Sequence, residues 1–153
     1  MGSNPALIGF ILRPKTVPRN SHANMKSTGV FTLNAISSNQ IEDAHHTSAK
    51  YPDNISEFDQ TNLEPEIKQG WEAPYVKGAQ IQIGCTYVNE YLIKENDTVL
   101  VVGKIEHLFI EEQLLGKDGW IQLDKGDIVS INGLDGYAIP TLIKRFEYAR
   151  PKK

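Results

Sequence analysis

Apolar and polar positions alternate with period two along residues 79–87. Ala79, Ile81, Ile83, Cys85 and Tyr87 form one set, and Gln80, Gln82, Gly84 and Thr86 the other. Successive side chains of a strand point to opposite faces, so this stretch predicts a half-buried strand. A polar-rich approach over 89–97 leads to the next run, 98–110. There residues 99–102 are apolar in unbroken series and the phase slips after Gly103, which predicts a strand with a bulge at that glycine. Residues 6–12 are apolar without clean alternation, as in a strand covered on both faces, and Arg13-Pro14 stops the run. Residues 30–35 alternate and predict a further strand. Two shorter apolar pieces, 120–123 and 128–131, sit between Gly and Asp turn residues.

Helical spacing is confined to the connections. Pro18 keeps the loop after the first strand extended. Asn20-Ser21 reads as a cap before a short helix over 22–26, and Gly29 is placed to end it in the left-handed conformation. Ile41, Ala44, Ser48 and Tyr51 recur at helical spacing, with Asn39 as the cap and Pro52 as the stop. Residues 54–75 mix acids, amides and prolines and predict an irregular excursion with a helical turn or two. Near the end, Ile139, Leu142, Ile143 and Phe146 fall at i, i+3, i+4 and i+7 behind Pro140, which predicts a docked amphipathic helix. Turn-separated strands with helices only between them predict a mainly β fold, a closed or split β-barrel with short connecting helices.

Composition narrows the function. The 153 residues fit one domain spanning 1–153. A single cysteine, Cys85, excludes an intrachain disulfide framework and a multi-cysteine metal cage. Sixteen basic residues against nineteen acidic ones speak against a general phosphate-backbone binder, so no nucleic-acid partner is expected. No apolar run approaches the ~20 residues that span a bilayer, and no signal-peptide pattern opens the chain. The expectation is a cytoplasmic domain with no membrane partner.

Familiar catalytic signatures are missing. No G-x-G-x-x-G, P-loop or G-x-S-x-G elbow occurs. His45-His46 are adjacent on a predicted helix and diverge by about 100°, so they read as one solvated and one partly buried histidine rather than metal ligands. His107 reads as a hydrogen-bonded wall residue, and Cys85 as inert packing. Asn54-Ile55-Ser56 and Asn96-Asp97-Thr98 match a glycosylation pattern that has no meaning without a secretory signal.

Two polar clusters remain. Arg13 and Arg19 bracket a proline-stiffened loop leading to a helix start at Asn20-Ser21, where orphan N–H groups and two guanidinium groups suit a phosphate. Thr47-Ser48-Ala49-Lys50 places hydroxyls and an ammonium at the end of the next helix. Taken alone, the same residues read more readily as ordinary caps and solvated basic side chains.

A resemblance changes the weight of these clusters. The stretch from Gly2-Ser3-Asn4-Pro5 to Arg13-Pro14, then Val17-Pro18-Arg19-Asn20-Ser21, Asn24-Met25-Lys26 and Gly29-Val30-Phe31-Thr32-Leu33-Asn34, resembles the flavin reductase-like family. So do 44–52, Ser56-Glu57-Phe58 and Gly133-Leu134-Asp135-Gly136-Tyr137. The resemblance implies a Greek-key, FMN-binding split barrel, a homodimer with each flavin near the subunit interface. It implies either hydride transfer from NADH or NADPH to the flavin, or FMN held for electron transfer. Carried over by motif, Ser3, Asn4 and Pro5 would lie beside the ring or ribityl chain. Arg13, Arg19, Asn20, Ser21 and Asn24 would form the phosphate region. Thr47, Ser48 and Lys50 would complete that pocket or grip the ribityl chain.

No protein residue is expected to be catalytic in the covalent sense, because hydride would pass directly from nicotinamide to ring. Backbone donors near the flavin N1 and O2 would stabilise the developing charge. The resemblance also leads one to expect a further N-terminal segment with barrel strands ahead of the Ser-Asn-Pro turn. Without it, a ladder edge is left that needs a partner, and the alternative expectation is a truncated split barrel that has lost flavin binding. Reductases serving monooxygenases carry Gly-Asp-His where this chain reads Asn96-Asp97-Thr98, so the histidine near the nicotinamide is not expected here.

Overall fold

A computed structural model describes residues 2–14 and 19–151. The expected extended loop at Pro18 lies outside these residues. The predicted strand segments form a four-stranded antiparallel sheet in the order β1-β6-β5-β2, from β1 (Leu7–Leu12), β2 (Val30–Ala35), β5 (Ile81–Ile93) and β6 (Thr98–Ile110). Between them lie α1 (Asn20–Thr28), α2 (Ile41–His46) and a two-residue pair, β3 (Pro65–Glu66) with β4 (Tyr75–Val76). A last hairpin pairs β7 (Ser130–Asn132) with β8 (Gly136–Ala138). The mainly β expectation holds.

β5 continues six residues beyond Tyr87, to Ile93, because Asn89–Ile93 find ladder partners from Val102 to Thr98. The expected bulge is not at Gly103. Register slips at two nearby places: Glu106 is extra on β6, between His107 and Ile105, and Val88 is extra on β5, between Tyr87 and Asn89. An extra residue reverses the alternation. Val99, Val101 and Ile105 therefore share a face with Leu108 and Ile110 beyond the bulge. That face carries both core clusters. Met25 of α1 packs with Val99 and Val101, flanked by Phe10, Leu12, Phe31 and Tyr87. Leu114 and Ile128 cover Ile81, flanked by Ala35, Ile83, Ile110 and Ile121. β1 is half-buried rather than covered on both faces.

On the opposite face Tyr75 is wholly buried and meets Phe109 edge-on, with ring centroids 5.6 Å apart. His107 is a wall residue held by rings, standing 4.8 Å from Trp71 and stacked on Phe109 at 6.1 Å.

The helices differ from the sequence expectation in detail. α1 starts at Asn20 itself, with Arg19 as its N-cap, and ends as expected at Gly29, whose φ of 74° is left-handed. α2 is shorter than expected. It follows a 3₁₀ turn, Ser38–Gln40, capped by Ser37 and Gln40 reciprocally rather than by Asn39. The irregular excursion has one 3₁₀ turn, Glu57–Gln60, besides the β3–β4 pair.

The expected helix after Pro140 does not form, and 139–150 carries neither helix nor strand. A helix of that length is marginal in water unless its apolar stripe is buried, and here the stripe has little to pack on. Ile143 is 94%, Phe146 77% and Tyr148 89% exposed. The segment is tied down at Arg145, whose guanidinium lies 4.3 Å above the Trp120 ring and 2.6 Å from Asp118 Oδ2.

Candidate flavin site

The sheet sets the distances between the predicted site residues. Ser3, Asn4 and Pro5 form an exposed turn before β1, closed by the Ser3–Ala6 bridge, with a cis Asn4–Pro5 peptide. Arg13 is exposed just past the other end of β1. Six strand residues, roughly 20 Å, separate the two groups. They can therefore meet one ligand only at its opposite ends.

α1 crosses the sheet from β1 at one edge towards β2 at the other. Its first turn gathers Arg19, Asn20 and Ser21, with Asn24 one turn on; Asn20 is half-buried and the others exposed. The N-cap residue, Arg19, makes no side-chain capping bond, and the first turn contains no acidic residue. The Arg19 carbonyl accepts from the His22 and Ala23 amides, and among the described residues no cap side chain occupies the leading N–H groups. An open, positively flanked helix start of this kind suits an anion.

The second group behaves differently. Thr47 is the half-buried C-cap of α2, and its hydroxyl donates to the Ala44 carbonyl. Ser48 is exposed and donates to the His45 carbonyl. Lys50 is exposed. α2 follows β2, whose last residue, Ala35, is level with Ile81 and Ile110, whereas Leu12 is level with Val99 at the other end of β6. Among the described residues, no side-chain hydrogen bond or ion pair joins the α1 group to the α2 group.

Two clefts lie elsewhere. A polar one of about 360 Å³ is lined by Glu66, Lys68, Gln82 and Phe109 among others, and an apolar one of about 200 Å³ by Trp120, Leu123, Pro140 and Leu142. Neither includes a residue predicted from sequence to hold the flavin.

The remaining chemistry candidates have structural roles. Cys85 is fully buried; burial, followed by the charge of Glu106, pushes its thiol up to about 11, so it stays protonated. His45 and His46 are both exposed, so neither is the partly buried histidine expected. His45 Nδ1 lies 2.8 Å from the Tyr137 hydroxyl, and His46 stands edge-on to Tyr51. Among the described residues no group of three potential ligands could hold a metal ion. Likewise, no described helix is long and apolar enough to cross a membrane. Asn96 helps close the β5–β6 turn, its side-chain oxygen accepting from the Thr98 amide and hydroxyl.

Sequence reasoning missed Glu90, which sits under α1 and receives two of its side chains. The available signal was weak: His22 and Lys26 lie four residues apart, on one helix face.

Comparison with known proteins fits this architecture. Residues 1–123 match the model of the flavin reductase like domain, and the chain belongs to that family. A crystal structure described as a candidate flavin reductase with a split barrel domain, from Shewanella frigidimarina NCIMB 400, superposes with a TM-score of 0.92 at 35% identity. It covers 97% of this chain and 74% of that one. The fold is thus that of the split barrel. Nitrilotriacetate monooxygenase component B from Bacillus cereus has the same fold, with a TM-score of 0.82 at 24% identity, covering 96% of this chain and 74% of that one. An uncharacterized protein of Methanothermobacter thermautotrophicus is 23% identical over 112 residues, 71% of this chain. The match spans only 53% of that curated relative's length.

Proposed function

We propose that this chain binds FMN and passes hydride to it from NADH or NADPH, as a homodimeric flavin reductase. The carrying observation is the acid-free first turn of α1, with Arg19 as an N-cap that makes no capping bond and Arg13 six residues earlier in the chain, in a member of the flavin reductase-like family. The terminal phosphate is placed at Arg13, Arg19, Asn20, Ser21 and Asn24, where amide dipoles and guanidinium groups oppose its charge. The Ser3-Asn4-Pro5 turn, a strand length away, would flank the ring or ribityl chain. Thr47, Ser48 and Lys50 would complete the pocket or hold the ribityl hydroxyls. When bound, the flavin supplies a hydride acceptor that no side chain of this protein offers. The protein's part is to orient it and to exclude water.

The homodimer reading is supported by the exposed apolar residues Ile143, Phe146 and Tyr148 and by residues 8–12 of β1, which among the described residues have a sheet neighbour on one side only. Sedimentation of the purified chain checks it, a monomer at all concentrations being the contrary result.

The enzymatic test is direct. The purified protein should be yellow, and added FMN should accelerate its oxidation of NADH or NADPH. Arg13→Ala or Ser48→Ala should cost about 1.5–3 kcal/mol of FMN binding. Unchanged affinity in both variants removes these residues from the site. A second reading, an FMN carrier that takes electrons from a protein partner, is favoured by Asn96-Asp97-Thr98 in the β5–β6 turn. That reading requires bound flavin that neither nicotinamide reduces at a useful rate.

A further inference from the structure

α1 brings little apolar surface to the sheet. Of its nine residues only Met25 is buried. A helix this short does not hold itself by propensity, and one inserted side chain leaves it free to swivel. The second point of attachment is polar. Glu90 of β5 pairs with Val101 of β6, in the row beneath α1. Its two carboxylate oxygens take donors one helical turn apart: His22 Nε2 lies 2.6 Å from Oε2, and Lys26 Nζ lies 3.1 Å from Oε1. A carboxylate only accepts, so Nε2 of His22 carries the proton.

The clamp is sheltered on two sides, with the His22 and Glu90 side chains 14% and 18% exposed, while Lys26 is 46% exposed. The Tyr87 phenol, pushed up by burial and by the Glu90 charge, closes the group from β5, and the same carboxylate holds the Lys26 ammonium up.

We infer that Glu90 is a positioning residue for the flavin phosphate: by gripping His22 and Lys26 it fixes the angle of the α1 first turn without touching the ligand. His22 directly follows Ser21, so the grip acts within the turn that presents Arg19, Asn20 and Ser21. This inference rests on the phosphate placement given under Proposed function. It makes a prediction opposite to simple electrostatics. Neutralising Glu90 removes a negative charge near a dianion and frees the Lys26 ammonium, which by field alone would tighten FMN. If the clamp positions the helix, the same change loosens FMN.

The experiment compares FMN with riboflavin, which has the ring and ribityl chain but no phosphate. Each is titrated into the wild-type protein, Glu90→Gln and the surface variant Lys26→Ala, with circular dichroism confirming the fold. The wild type should prefer FMN. Glu90→Gln should lose about ten-fold in FMN affinity with riboflavin affinity held within about two-fold, and Lys26→Ala should show the same selectivity at smaller size. If Glu90→Gln does not fold, Glu90→Asp decides instead: it keeps the charge and shortens the reach, so field alone predicts unchanged FMN affinity and the clamp predicts a selective loss. Equal weakening of both flavins, unchanged FMN affinity, or tighter FMN each overturns the positioning role while leaving the phosphate site standing. A wild type that binds FMN no better than riboflavin instead overturns the phosphate site, and the positioning role with it.

Discussion

Replacing Gly103 with alanine tests how closely the α1 side of the sheet is packed. Gly103 is buried in β6, and its neighbour across the sheet is the Phe31 ring. A methyl group built there would stand 2.5 Å from Phe31 Cζ, 2.9 Å from Cε1 and 3.3 Å from the Thr86 carbonyl oxygen. Carbon atoms rest at about 3.5–4.0 Å, so the ring would have to retreat by about 1 Å. It cannot do so freely, since Phe31 packs edge-on against Phe10 at 5.6 Å and flanks the cluster that seats Met25. Overpacking of this kind costs about 1–3 kcal/mol. Phe31→Leu alone should also destabilise, by loss of contact. In the double variant the shorter side chain makes room for the methyl, and the two costs should fall short of additive by at least about 1 kcal/mol. Urea unfolding of the four proteins, read by tryptophan fluorescence, measures the cycle. A Gly103→Ala protein within about 0.5 kcal/mol of wild type refutes the steric account, as does strict additivity.

Met25→Ala should cost about 2–5 kcal/mol. It should also raise amide hydrogen exchange in 20–28 more than in β5 and β6, because Met25 is the sole buried residue of α1. Uniform exchange changes would show that α1 is not separately anchored. A pH test concerns the C-terminal segment. The Asp118 carboxyl is held below its ordinary value, chiefly by its bond from Arg145 and then by the Trp120 amide. A lowered carboxyl stabilises the folded arrangement above its unfolded value and stops doing so as pH falls through the lowered one. Limited proteolysis around residue 145 should therefore be constant at neutral pH and rise only in acid, below the usual carboxylate range. Cleavage that already increases between pH 7 and 6 would contradict the pairing.

Local pattern was sufficient for the strands of the main sheet, apart from the far half of β5, and for the left-handed end of α1. Side-chain alternation and the freedom of Gly29 depend on a residue and its immediate neighbours, so 30–35, 79–87 and 98–110 declare themselves without a partner in view. The basic, hydroxyl-bearing run around Arg19 is legible in the same local way as a candidate, since its residue types suit an anion wherever the helix start lies. Tertiary structure decided the rest, because it depends on residues far apart in the chain. The phase slip near Gly103 was visible, but register against β5 put the extra residues at Glu106 and Val88 and left Gly103 to clear the Phe31 ring. The helical spacing after Pro140 was also real, yet an amphipathic stripe folds only against a surface, and the chain offers Ile143 and Phe146 none. Glu90 gave no sign of its role, since its partner His22 is sixty-eight residues away in the chain. Only the crossing of α1 over the sheet brings the two together.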